Sequence, residues 1–392
     1  MDAAGKPPRV IRSSVSVFSR SAHEDHPYVH AVSGDTITFT FRDGEVHVDD
    51  AAVTKTDIAA SNGVMTAGRS DVADGRRLRP IRIGVSACLL GEAVRFDGGH
   101  KRDVFLTETF GRFVEWVPVC PEVECGFGTP REAMRLVRIE QGLRLLTVKT
   151  GMDLTEQMER FSRSRVSALF RDDLSGYVLK KDSPSCGLER VKIYDRHGSC
   201  VRGGRGLFAR ALVGAFPHLP VEEEGRLADP RLRDNFVERV FGYWRLRGLL
   251  NGRWTLGALV RFHTAHKLLL LAHAPQAYRW LGQLVAGARG MSRQELERRY
   301  FDGFMHALEQ LATTRRHTNA LQHMAGYFRN RLDAASKREL ADTIADYGRG
   351  LVPLVVPLTL IRHHVRTFDV TYLAGQTYLE PHPKELMLRN HV

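Results

Sequence analysis

The sequence predicts an α/β domain with a parallel sheet, followed by an all-α domain. Three observations carry that prediction. Between residues 81 and 220, short apolar runs bounded by Gly and Pro alternate with helical stretches, the pattern of a sheet built from βαβ units. After Pro217 and the acidic run Val221-Glu-Glu-Glu, apolar residues recur at spacings of three and four, as on helix faces packed against one another. The length, 392 residues, accommodates two or three domains at roughly 100–200 residues each.

Residues 1–79 contain one hairpin signal, Thr36 to Val48, in which alternating apolar residues flank an Asp-Gly turn. Its surroundings are rich in Ser, Ala, Gly and Asp and offer little to pack, so the segment is expected to be a largely disordered extension. Met65, ahead of a short polar run and a strand at Ile81, is a candidate for the real start. From residue 80 to 220, strands are expected over 81–86, 114–119, 143–149 and 176–180, and helices over 154–169 and 207–216. From 221 to 392, helices are expected over 235–250, 255–287, 292–314, 318–331 and 334–349. Pro353 and Pro357 then separate the last of these from a segment starting at Leu358.

Composition narrows the function. With 43% apolar and 26% charged residues, and no run approaching the ~20 uncharged apolar residues of a membrane helix, a transmembrane role is excluded. The N-terminus lacks the apolar core of a secretory signal, which points to the cytoplasm. Five cysteines, an odd number, argue for thiol or metal chemistry over a disulfide framework. The net charge of +12 attracts polyanions, and all of the excess lies after residue 80, roughly +5 up to residue 220 and +8 beyond it.

Three cysteines share one context, a turn immediately after an expected strand: Ser86-Ala-Cys88, Val119-Cys120-Pro121 and Ser183-Pro-Ser-Cys186-Gly187. If those strands are parallel, the three thiols arrive at the carboxyl edge of the sheet, where open α/β sheets bind ligands. Three thiolates without two close Cys pairs match a structural zinc site poorly. Sulfur ligation from three points instead suits an iron–sulfur cluster with one iron left open; the alternative is three small buried hydrophobes. Glu122 and Ser183 lie beside two of the cysteines and are candidate acid/base and positioning groups. Arg95, Asp97, Gly98, Lys101, Arg131, Lys180 and Lys181 come from the same loops, where each is otherwise a solvated surface residue.

Together these motifs, with Val94-Arg95-Phe96-Asp97-Gly98 and Thr129-Pro-Arg131, resemble the TudS-like thiouracil desulfidases over about residues 81–200. The resemblance implies a Rossmann-like desulfidase domain and a 4Fe-4S cluster held by Cys88, Cys120 and Cys186, whose free iron takes the sulfur of a thiocarbonyl. It implies acid/base and substrate-positioning roles for Glu122 and Ser183. Cys125 departs from the simplest family pattern and reads as a small core residue, a rival ligand or a sulfur acceptor; Cys200, in a Gly-rich stretch, reads as structural. The runs Leu232–Phe241 and Phe262–Leu270 resemble the C-terminal domain fused to such desulfidases, as in bacterial tRNA 4-thiouridine desulfidases, which implies tRNA as partner.

His263, His266, Lys267 and His273 fall on or near one helical face, preceded by Arg245, Arg247, Arg253 and Arg261. They form either a basic surface toward the cluster pocket or, for the histidines, a self-satisfied core. The expected activity is therefore desulfidation of 4-thiouridine in tRNA to uridine, with the base extruded from its stack. Neither DNA nor a membrane is expected as a partner. Two alternatives stand beside this reading: a desulfidase of free thiouracil or another small thiocarbonyl, and a non-enzymatic RNA-binding protein whose cluster stabilises the fold.

Overall fold

The computed structural model describes residues 80–391 and six short strands before them. These are β1 (Tyr28–His30), β2 (Thr36–Arg42), β3 (Glu45–Val48), β4 (Ala51–Ala52), β5 (Ile58–Ala60) and β6 (Gly63–Met65). The expected hairpin is β2 with β3, antiparallel from Phe39 opposite Val48 to Arg42 opposite Glu45. The expectation of disorder in this extension concerns residues that, those strands apart, lie outside the described residues. The chain divides into two units, residues 1–78 and 79–392.

The second unit runs β7 (Arg82–Ser86), β8 (Glu115–Val119), α1 (Pro121–Glu124), β9 (Met134–Ile139), β10 (Gly142–Thr147), α2 (Thr155–Leu169), β11 (Leu174–Leu179), β12 (Val191–Tyr194), β13 (Cys200–Gly204), α3 (Leu207–Ala215) and β14 (Val221–Glu223). The helical half follows: α4 (Pro230–Leu250), α5 (Leu256–His273), α6 (Pro275–Ala286), α7 (Arg293–Glu309), α8 (Thr314–Ala325), α9 (Ala334–Gly348), α10 (Val355–Thr367) and the short α11 (Thr371–Ala374). Among the described residues, no helix is long and apolar enough to cross a membrane.

Four strands form a wholly parallel sheet in the order β14-β11-β7-β8. Its central strands read as continuous apolar runs because both faces are covered; all six residues of β11 are buried. Two expectations needed correction here. The stretch 143–149 does not join this sheet: it is β10, the antiparallel partner of β9 in a second sheet ordered β10-β9-β12-β13. The acidic run is not merely a boundary. It contains edge strand β14, so the sheet continues three residues past position 220. Its carboxylates have partners, Glu222 accepting from Arg226 Nε at 2.7 Å and Glu223 from the Leu188 amide at 2.7 Å.

The expected long helix 255–287 is two helices, because Pro275 lacks an amide hydrogen and starts α6 instead of continuing α5. Helix α4 begins earlier than expected, at Pro230, with Asp229 capping the Arg231 and Leu232 amides.

The two architectures share a core. Phe236, Val237, Val240 and Phe241 of α4 pack with Ile83, Val85 and Val178 of the parallel sheet. Gly176 permits that approach, since a Cβ there would lie 2.8 Å from Val240 Cγ2. A buried ionic network then ties the C-terminal segment to α4. Glu238 accepts from Arg389 Nη2 at 2.6 Å and from His273 Nε2 at 2.8 Å, and Asp234 pairs with His382 at 3.0 Å.

Candidate active site

The three adjacent strands β11, β7 and β8 end side by side, and the turn or loop after each carries one of the three cysteines. Cys88 sits in the 3-10 turn Ala87–Leu90, Cys120 immediately precedes α1, and Cys186 lies in the loop after β11. Each loop is fixed by hydrogen bonds to its backbone. The Cys88 carbonyl accepts from the Lys101 amide at 2.9 Å. Pro121 starts α1, and Glu124 Oε1 reaches back to the Cys120 amide at 3.0 Å. In the Cys186 loop, the Gly187 amide donates to Ser183 O at 2.8 Å, and the first turn of α3 donates its free amides to the loop, Leu207 to Pro184 O and Phe208 to Ser185 O. Gly206 lies so close that a Cβ there would stand 2.4 Å from Ser185 O.

These loops enclose a cavity of about 380 Å³ lined by Cys88, Cys120 and Cys186 together with Glu122, Ser183, Arg131 and other residues of the same turns. All three thiols are free. Burial pushes the Cys88 thiol up to about 11 against some lowering by Lys180, and burial likewise raises Cys120 and Cys186. Three thiols so placed stay protonated at neutral pH unless a cationic group among them draws the protons off, as thiolate-ligated metals do. The donor set therefore fits the cluster implied by the sequence: three sulfurs converging from three strands, in a space larger than a single ion needs.

Glu122 and Ser183 are brought to the same wall. Arg131 donates through Nε at 2.9 Å, and also through Nη2, to Glu122 Oε2. Ser183 Oγ donates to Glu122 Oε1 at 3.4 Å and accepts from the Cys186 amide at 3.0 Å, so one hydroxyl connects the carboxylate to a cysteine loop. Arg131 is itself anchored, its Nη1 donating to the carbonyls of Val94 at 3.0 Å and Gly128 at 2.8 Å. Arg95, Lys101, Lys180 and Lys181 also line the cavity. Asp97 instead turns onto its own loop, accepting from the Gly99 amide at 3.0 Å.

Two further residues, Ser86 and Glu224, support the site. Ser86 hydrogen-bonds the Cys186 thiol and accepts from the Lys180 amide at 3.0 Å. Glu224 holds Lys180 Nζ at 2.5 Å and the Lys181 amide at 2.8 Å. Ser86 was visible in the Ser-Ala-Cys motif, whereas nothing in the acidic run singled out Glu224.

The remaining candidates lie elsewhere. Cys125 packs against the core cluster of Leu136, Leu145 and Met158 and is absent from the cavity wall. Cys200 is exposed at the start of β13, so its expected structural role finds no support. His263, His266 and His273 are buried, and the basic-surface reading fails for them. Burial pulls His263 down to about 4 and His266 to about 3, so both are neutral at pH 7. Arg245 and Arg247 are engaged with Pro381 O and Asp173; Arg253 and Arg261 are exposed. The buried trio Asp234, Glu238 and His382 has metal-ligand spacing, yet Arg389 and His273 already satisfy both Glu238 oxygens, which makes it a structural network.

Residues 83–224 match the family described as 2-thiouracil desulfurase, and residues 267–383 match a family described as a protein of unknown function, DUF1722. The uncharacterized protein YbgA of Escherichia coli (strain K12) is 35% identical over 161 residues, 41% of this chain and 95% of YbgA. The uncharacterized protein YbbK of Bacillus subtilis (strain 168) is 30% identical over 111 residues, 26% of this chain and 71% of YbbK. Among solved structures, the 4Fe-4S-dependent thiouracil desulfidase TudS is 31% identical, covering 38% of this chain and 93% of its own, with a TM-score of 0.31. The sheet with three thiols at its carboxyl edge is thus a 2-thiouracil desulfurase region, joined here to a DUF1722 region, and the protein is an enzyme that cleaves a carbon–sulfur bond. It belongs to the families of YbgA and of YbbK, each of which it matches over part of its length.

Proposed function

We propose that the protein replaces the sulfur of a thiolated uracil by oxygen from water and releases sulfide, using a 4Fe-4S cluster held by Cys88, Cys120 and Cys186, and that its substrate is 4-thiouridine in tRNA. The observation that carries this reading is the convergence of three free thiols, Glu122 and Ser183 on one cavity wall. When bound, a cluster with three protein ligands offers one iron as a Lewis acid for the thiocarbonyl sulfur.

The chain's own residues supply the rest. Arg131 and Ser183 hold Glu122 from opposite oxygens, which fixes the carboxylate to take a proton from the water that attacks the thiocarbonyl carbon. The new C–O bond keeps the water oxygen, the C–S bonding electrons leave with sulfur, and the two water protons end on the departing sulfide. Water and thiocarbonyl give carbonyl and hydrogen sulfide, so no oxidant or reductant is consumed. Lys180, pinned by Glu224, adds positive charge beside the cavity as negative charge develops on sulfur.

Support for tRNA comes from the net positive charge, the whole excess of which lies downstream of residue 80, and from the resemblance of the helical half to domains fused to tRNA desulfidases. An oxygen-labile cluster and free thiols suit the reducing cytoplasm. The test is anaerobic reconstitution with iron and sulfide, followed by incubation with tRNA containing 4-thiouridine or with free thiouracils. Loss of thiouridine absorbance and appearance of uridine in tRNA are expected. Conversion of free thiouracils with tRNA left unchanged would overturn the tRNA assignment.

A further inference from the structure

The turn Arg95–Gly99 carries an aromatic ring that the proposed reaction does not use. Phe96 lines the cavity and is nevertheless 41% exposed, although a phenylalanine gains from any apolar cover. Its position is fixed. Within the turn, the Arg95 amide donates to Gly99 O at 3.1 Å and the Gly98 amide to Arg95 O at 2.9 Å, with Gly98 in the left-handed region at φ +77°. The Phe96 carbonyl accepts from the Arg131 amide at 2.9 Å, so the residue that orients Glu122 also anchors the backbone beneath the ring. The Arg95 guanidinium lies over the ring, 5.5 Å from its centroid, a planar cationic partner for the aromatic group.

An aromatic ring on an anchored turn, partly exposed where it lines a polar cavity, is suited to a flat π-system, and every nucleobase has one. We propose that Phe96 is the stacking platform of the site, on which the pyrimidine ring lies as its thiocarbonyl enters the cavity. This rests on the reading that the cavity accepts a thiolated uracil. The ring acts on binding of the base and takes no part in proton transfer, so it is a positioning residue.

The experiment compares Phe96→Ala, Phe96→Leu and Phe96→Tyr in the full reconstituted chain, with tRNA containing 4-thiouridine as substrate and equilibrium dialysis of uridine as a readout independent of turnover. Base–aromatic stacking predicts that KM and the uridine Kd both rise about ten- to one-hundredfold in Phe96→Ala and Phe96→Leu. Phe96→Tyr stays within about threefold of the parent, because it keeps the ring. Iron content and visible spectrum stay those of the parent in all three. Parental KM and Kd in Phe96→Ala, or full retention by Phe96→Leu, overturn the platform. If the parent fails to desulfurate 4-thiouridine while the Ala and Leu variants still lose uridine, the assigned reaction fails and the platform stands.

Discussion

Cys88, Cys120 and Cys186 hold equivalent places at three strand ends, yet their neighbours differ. Cys88 feels Lys180 and Arg95, the Cys120 thiol donates to Val94 O at 3.7 Å, and Cys186 is hydrogen-bonded by Ser86. On the proposed function, replacing any one of them by Ala should remove iron loading together with activity, because the proposed cluster would keep only two of its three thiolates. Cys125→Ser should keep both, since Cys125 packs against a different cluster. Glu122→Gln separates ligation from catalysis. Iron content should be unchanged while kcat falls by about 10²–10⁴, the usual contribution of a positioned acid/base group. Iron assays beside single-turnover rates check the set, and loss of iron in Glu122→Gln would contradict the division of roles.

At the scale of elements, the position of each cysteine just past a strand made the site legible in the amino-acid sequence. Glycine- and proline-bounded runs located β7, β8 and β11, and the cysteine after each located the cavity. What stayed hidden follows from chemistry that is not local. Strand β9 carries arginines three residues apart, which breaks the alternation of a half-buried strand, and β14 is two-thirds glutamate; each is a strand because neighbouring strands and Arg226 supply partners. The histidines of α5 read in the sequence as either surface or core, and packing against α7 and the C-terminal segment decides for the core. Their burial has a measurable consequence. His263, His266 and His317 are held at about 4, 3 and 3 by desolvation, below the ordinary value of 6.5. The unfolded chain binds these protons first, so the stability they confer is complete above pH 6.5 and drains away as pH falls toward 4. Each histidine contributes a slope of about 1.4 kcal/mol per pH unit within that window. Urea midpoints at pH 7.5 and pH 5 should show the loss; a flat profile would contradict the buried neutral assignment.

At the scale of the molecule, the 2-thiouracil desulfurase region and the helical half are one packed body rather than two beads. Helix α4 supplies Phe236, Val240 and Phe241 to the core beneath Ile83 and Val178. Deleting residues 225–392 should therefore yield a chain that exposes this face, aggregates and resists cluster loading. Size-exclusion profiles and proteolysis would show it, and a soluble, iron-loaded truncation would contradict the shared core. The proposed function has this edge-of-sheet cavity exchange the sulfur of a thiolated uracil for the oxygen of water. Its most direct test is anaerobic turnover of 4-thiouridine tRNA by the reconstituted full chain in ¹⁸O-labelled water. One labelled oxygen per uridine formed, with an equal amount of sulfide released and neither seen with Cys88→Ala, is the predicted result. Unlabelled uridine, or labelled product from Cys88→Ala, would contradict it.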